Sequence, residues 1–279
     1  MVNIYTGIMS IVITNKTHRG SVAYNEIRLD FKGSDSQTYK NEEIALNKLT
    51  IYYSWRNILS EYNNNKLSYI YNGVTYDITI PDCFFTINDI NNYLQLKMKQ
   101  NGHFTLDSEG SEVYYIDISE NLSYYSCTIN LTKLTLPISG SNPNAMVLSG
   151  NTMQLVLPAS FNELLGFNAG TYPATPSATN YGINSHFVPI ITKVSSIIVT
   201  CSIASNNTSQ YSDMIYIFSP NDTYGKLLRE VSENLTWYNV FDGNYKSISI
   251  KFYDQDYNPL KIIDKDSLVC NLISRKRVN

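Results

Sequence analysis

The chain has 279 residues, 21 Lys+Arg against 24 Asp+Glu and a formal net charge of -3, and only 16% of it is charged, against roughly 25% in an ordinary soluble protein. A near-neutral balance without a long basic run gives no electrostatic footprint for nucleic acid, and no apolar stretch approaches the roughly 20 residues that cross a bilayer as a helix. Tyr, at 23, outnumbers Phe at 10, and abundant aromatic and β-branched side chains favour strands over helices.

Met1 to Ser10 lacks the basic and long apolar regions of a secretory signal, so the chain is expected to be made and kept inside a cell. Residues 1–40 mix short apolar runs with stretches such as Lys32-Gly33-Ser34-Asp35-Ser36 and predict an extended N-terminal arm. From Ile44 the pattern tightens. Ile44, Leu46, Leu49, Ile51, Tyr53 and Trp55 recur with near period two, which sets one face of a strand on a core. Lys66–Tyr71 and residues 74–80 flank Asn72-Gly73, and Asn-Gly between alternating runs predicts a type I′ hairpin. Thr86 with Asp89 forms a capping box, and Ile87, Ile90, Leu94 and Met98 make one stripe of a helix that ends at Asn101-Gly102. A second hairpin is expected from 113–118 and 124–131 around Ser119-Glu120-Asn121.

Leu155-Val156-Leu157 reads as a strand, and Ser160, Glu163 and Gly166 stand in the register of a capped helix of one or two turns. A long Pro/Ala/Thr/Ser/Asn loop follows over 168–187. Strands are expected again at 190–203, 214–218, 227–231, 235–240, 247–253 and 267–273. Many short strands, turn signals between them and two short helices predict a β-sandwich or jelly roll.

No chemistry assembles. His18, His103 and His186 stand alone, and Cys83, Cys127, Cys201 and Cys270 are scattered without a Cys-x-x-Cys pair. Neither a zinc site nor a cysteine-protease pair is expected, and the thiols read as buried and free. Asp254-Gln255-Asp256-Tyr257-Asn258 opens like a calcium loop, but Pro259 and Lys265 occupy the positions that need Gly and Glu, so a turn between strands is expected. No catalytic residue, cofactor site or metal site is predicted, and the chain is not read as an enzyme. Arg275-Lys276-Arg277 reads either as a solvated tail or as a dock for an acidic neighbour.

Against this background the second half resembles the penton (minor capsid) proteins of virophages, Polinton/Maverick elements and adintovirus-like viruses. The likeness is carried by Leu157-Pro158 with Ser160, Leu164-Leu165-Gly166-Phe167 and Tyr172-Pro173. It continues through Thr192-Lys193-Val194-Ser195-Ser196-Ile197, Ile215-Tyr216-Ile217-Phe218, and Ile248 to Arg277 with Asp254-Gln255-Asp256. The chain departs from those proteins at Asn258-Pro259, where they often carry Asn-Gly.

The resemblance implies an all-β fold, a single jelly roll over 41–279, as a homopentamer at each vertex of an icosahedral virion capsid assembled inside the host cell. It implies a double-jelly-roll major capsid protein as partner, with a host receptor as a further candidate. A double roll needs some 16 strands, which this length does not comfortably supply, whereas a single roll leaves spare chain. That surplus is expected as an inserted region within 57–131. Low charge and abundant Tyr suit surfaces buried between subunits, and Phe161, Leu164, Leu165, Phe167, Tyr172, Arg275, Lys276 and Arg277 are the candidate interface residues. The alternative is a carbohydrate- or receptor-binding β-sandwich, a viral spike or lectin-like protein. An aromatic and carboxylate cluster on one loop end would distinguish it. A jelly-roll enzyme of the cupin type would need a His-rich motif that is absent.

Overall fold

The computed structural model describes residues 8–17, 22–31 and 36–277. His18, Arg19-Gly20-Ser21 and Lys32 to Asp35 lie outside the described residues. The fold is all-β, and the chain divides into two compact units, one of Met1–Trp55 with Val194–Asn279 and one of Arg56–Lys193.

The first unit contains β1 (Met9–Thr14), β2 (Glu26–Asp30), β3 (Gln37–Tyr39) and β4 (Glu42–Tyr52). After the second unit the chain adds β14 (Ile197–Cys201), β15 (Ala204–Ser205), β16 (Met214–Phe218), β17 (Leu227–Val231), β18 (Tyr238–Val240), β19 (Gly243–Tyr245), β20 (Ser247–Tyr253) and β21 (Val269–Lys276). One sheet runs β1-β21-β4-β18-β15, with β17 also paired to β4, and the other runs β16-β14-β20-β2. Because β17 and β18 share the same edge of β4, they act as one interrupted strand. Numbered along the chain, the main strands then follow the orders 1-8-3-6 and 2-7-4-5, which is the double Greek key of a jelly roll. The first two of these strands come from residues 1–40, where an extended arm is expected from the sequence. Ile11 and Ile13 point inward from β1, and Ile27 from β2, so these two strands belong to the sheets of the roll.

The change of phase within the Ile44 to Trp55 pattern has a physical origin. Against β21, Leu272 faces Leu46 while Asn271 faces Lys48, so Asn47 is the extra residue of a bulge. Ile44 and Leu46 point inward before it, and Leu49 and Ile51 after it, all buried. In β20, by contrast, Ile248, Ile250 and Phe252 alternate without interruption.

The second unit is one continuous stretch between the third and fourth strands of the roll. It contains β5 (Lys66–Tyr71), β6 (Val74–Thr79), α1 (Ile87–Gln100), β7 (Thr105–Leu106), β8 (Glu112–Val113), β9 (Ile116–Asn121), β10 (Ser126–Leu131), β11 (Gln154–Leu157), α2 (Asn162–Leu165), β12 (Gly170–Tyr172) and β13 (Tyr181–Asn184). The sheets β12-β11-β5-β6 and β13-β10-β9 enclose its core, with β7 and β8 as a separate small ribbon. Residues 57–131 fall inside this unit, which extends through Lys193. Asn72 and Gly73 both take positive φ, 49° and 75°, as a type I′ turn requires. Thr86 and Asp89 close the capping box of α1, which turns Ile87, Ile90, Leu94 and Met98 into the core.

Candidate interaction surface

The candidate interface residues separate into two groups. Phe161, Leu164, Leu165 and Phe167 are buried in the core of the second unit, together with Leu155, Leu157 and Tyr69. That core accounts for these side chains, which present no surface to a neighbouring subunit. The local turn explains why they are inside. Gly166 sits beyond α2 in the left-handed region, at φ 77°, and its carbonyl accepts from the amides of His186 and Phe187 at 2.8 and 3.0 Å. A Cβ at Gly166 would collide with the Phe187 carbonyl, so glycine is required here by both conformation and space. Tyr172 is half-buried, packs edge-on against Phe167 with centroids 5.3 Å apart, and donates to the Asn168 carbonyl at 2.8 Å.

Arg275, Lys276 and Arg277 form no free tail. Arg275 and Lys276 end β21, opposite Glu43 and Glu42 of β4. Arg275 pairs with Glu43 and lies over the Trp237 ring, 3.9 Å from its centroid, while Lys276 reaches Glu42 at 2.7 Å. Arg277 closes the strand through its amide to the Asn41 carbonyl at 3.0 Å. Arg275 and Lys276 thus have acidic partners, and the Arg277 guanidinium donates to the Glu42 and Val240 backbone carbonyls, all within the first unit.

The exposed apolar surface lies elsewhere. At the tip of the β9–β10 hairpin, Leu122, Tyr124 and Tyr125 are 78%, 76% and 77% exposed. Beside the tip is an open cleft of about 220 Å³ whose lining includes Ile87, Leu122, Tyr125, Val188 and Ile191. Phe187, Val188 and Ile190 are exposed next to it, and Glu120 is the only charged residue in the lining. Exposed apolar runs of this kind are where a contact with another protein, a membrane or a ligand can form. The sequence places the turn of this hairpin at Ser119-Glu120-Asn121, but β9 runs through Asn121 and the apex falls at Leu122–Tyr124, which is what sets Leu122 and the two tyrosines in solvent. The first unit also exposes Ile8, Val12, Ile217, Val231 and Phe241.

Among the described residues no group of three or more His, Cys, Asp or Glu is arranged to hold a metal ion, and no helix is long and apolar enough to cross a membrane. The Asp254 segment is a turn. Its carboxylate accepts from the amides of Asp256 at 3.0 Å and Asn258 at 2.8 Å. Tyr257 in that turn is stacked between Tyr211 and Tyr253, at 3.7 and 4.1 Å, and donates to Asp213 at 3.4 Å. Cys127, Cys201 and Cys270 are buried and Cys83 half-buried, all free. Burial pushes Cys127 and Cys201 up to about 12 and Cys83 up to about 11, so none is poised as a nucleophile near neutral pH.

The chain is similar to the mavirus penton protein, at 8% identity and a TM-score of 0.48, over 97% of this chain and 99% of that one. It is also similar to a chain of the Sputnik virophage, at 13% identity and a TM-score of 0.39, over 97% and 98% of the two chains. No protein-family model and no curated protein matches the chain.

Proposed function

We propose that this protein is a structural minor capsid protein, a penton, forming homopentamers at the fivefold vertices of an icosahedral shell. In this reading a double-jelly-roll major capsid protein surrounds it, the roll stands in the shell, and 56–193 is an insertion between the third and fourth strands of the roll's sequence. The observation that carries the reading is the single jelly-roll strand order on a chain whose sequence resembles pentons from about Ile44 to the C-terminus, most clearly after Leu155. The charge-poor surface supports it. A ring closed by rotation uses heterologous contacts, so each copy must bury two different faces. Exposed apolar residues are present on both units, which is what such contacts require. The test is light scattering on the full chain, alone and co-expressed with a double-jelly-roll capsid protein. A species of five times the 31.7 kDa chain mass, or vertex density in co-assembled shells, is expected. A monomer under both conditions overturns the reading.

A second reading, a carbohydrate- or receptor-binding sandwich, is favoured by one feature. Tyr211, Tyr253 and Tyr257 stack in one place beside Asp213 and Asp254, an arrangement of aromatic rings and carboxylates. Binding to a glycan array that is lost in Tyr211→Ala would support it, and its absence would leave the stack as a brace for the turn.

A further inference from the structure

We propose that His103 is an acid-sensitive latch of the second unit, holding the end of α1 onto the β5–β6 hairpin while its imidazole is neutral and releasing it on protonation. His103 is buried directly after the helix, and its amide donates to the Met98 carbonyl at 2.8 Å. Three tyrosines enclose the ring. Tyr71 and Tyr76 lie with centroids 4.4 and 4.6 Å away, and Tyr69 stands edge-on at 5.7 Å.

The hydrogen bonds assign the proton. Asn101 Nδ2 donates to the Tyr69 hydroxyl at 2.8 Å, and that hydroxyl lies 2.7 Å from His103 Nδ1. A tyrosine hydroxyl has one proton to give. With Asn101 as its donor, and Nδ1 the acceptor recorded for it among the described residues, the hydroxyl gives that proton to Nδ1, which leaves the imidazole neutral and protonated at Nε2. Adding a proton at Nδ1 turns an acceptor into a donor, forces the tyrosine proton away from its partner, and places a cation where water is excluded.

The groups that face the ring are Tyr69 and Tyr71 from β5, Tyr76 from β6, and Asn101 and the Met98 carbonyl from α1 and its end. Tyr71 is itself fixed, accepting from the Val147 amide at 2.6 Å. Among the described residues no charged group is recorded against the imidazole, and burial is what lowers its pKa from 6.5. Because the folded value is depressed, the stabilisation is present above pH 6.5 and is lost as pH falls from there toward the folded value.

The three histidines of the chain make a nitrogen-15 titration of the full protein readable. The expected result is an Nε2–H tautomer for His103 at pH 7.5 and a protonation midpoint below 6.5. Intrinsic-rate-corrected amide protection over α1, β5 and β6 should fall by up to about tenfold per pH unit between pH 6.5 and that midpoint. His103→Asn, which keeps an acceptor for Tyr69 and cannot titrate, should show a flat profile. Tyr69→Phe, which removes the bond to Nδ1, should raise the midpoint. An Nδ1–H tautomer, a midpoint at or above 6.5, or the same acid loss of protection in His103→Asn overturns the proposal. Should His103→Asn fail to fold, the wild-type tautomer and midpoint and the Tyr69→Phe shift decide it.

Discussion

Asn91 on α1 accepts a hydrogen bond from the backbone amide of Ile118 on β9 at 2.9 Å. The side-chain Nδ2 of Asn91 donates to Asp117 at 3.1 Å, and Gln95, one turn further on, donates to the Ile116 carbonyl at 3.4 Å. On its other side β9 is paired with β10, so the helix closes an edge that would otherwise offer free backbone groups to another chain. Asn91→Ala leaves the Ile118 amide unpaired in a part-buried setting and is expected to cost about 1–3 kcal/mol. Hydrogen exchange at Ile118 reads this directly. Protection unchanged from wild type would mean that the side chain covers the edge without closing it.

Phe161, Leu164, Leu165 and Phe167 make a second prediction, because their burial sets core packing against subunit contact. Phe161→Ala is expected to cost about 3–5 kcal/mol and Leu165→Ala about 2–5 kcal/mol in the isolated chain. Leu122→Ser with Tyr124→Ser, at the exposed hairpin apex, should change isolated-chain stability by no more than about 0.5 kcal/mol per site. If the apex is a contact, that pair weakens assembly all the same. Denaturant unfolding beside light scattering separates the two effects, and a core variant that changes assembly without changing stability would reverse the assignment.

The same contrast shows what the sequence could reveal. Local signals were readable: Asn72-Gly73 for its turn, Thr86 with Asp89 for the start of α1, and the alternation of Ile248, Ile250 and Phe252 for β20. Ser160 shows where this stops. It stands in capping register, but in the structure its hydroxyl bonds the Asn63 carbonyl and α2 has no side-chain cap. A partner 97 residues away leaves no periodic trace. The Tyr69–His103 pair and the Asn91 edge cover are long-range for the same reason. Apolar residues near Gly166 looked equally suited to a core or a contact, since composition records that a side chain is buried but not by what.

The four thiols should differ in access. Cys127, Cys201 and Cys270 are buried, and burial holds their acidities well above the usual thiol range. In the folded chain at pH 8 an aromatic disulfide reagent should therefore label at most Cys83, slowly, and all four after denaturation. Because the Cys83 value is about 11, its labelling rate should still be rising as pH passes 9. Rapid native labelling of Cys201 or Cys270 would mean that the roll opens readily, and of Cys127 that the second unit does.

Arg275 links β21 to β4 through Glu43 and stacks on Trp237, and the two contacts should respond differently to salt. Side-chain exposures of 35% for Arg275 and 16% for Glu43 leave the ion pair partly screened, so Glu43→Gln is expected to cost about 1 kcal/mol or less. Arg275→Lys keeps the charge but gives up the planar guanidinium that lies on the indole, and should cost a similar amount. Raising salt to 1 M shortens the screening length to about 3 Å. The Glu43→Gln difference should then shrink, while that of Trp237→Ala, which removes mainly ring contact, should largely persist. A double-mutant cycle between Glu43 and Arg275, run by thermal unfolding at both salt concentrations, isolates the charge coupling. Equal coupling at low and high salt would show that packing, not charge, holds the end of the last strand.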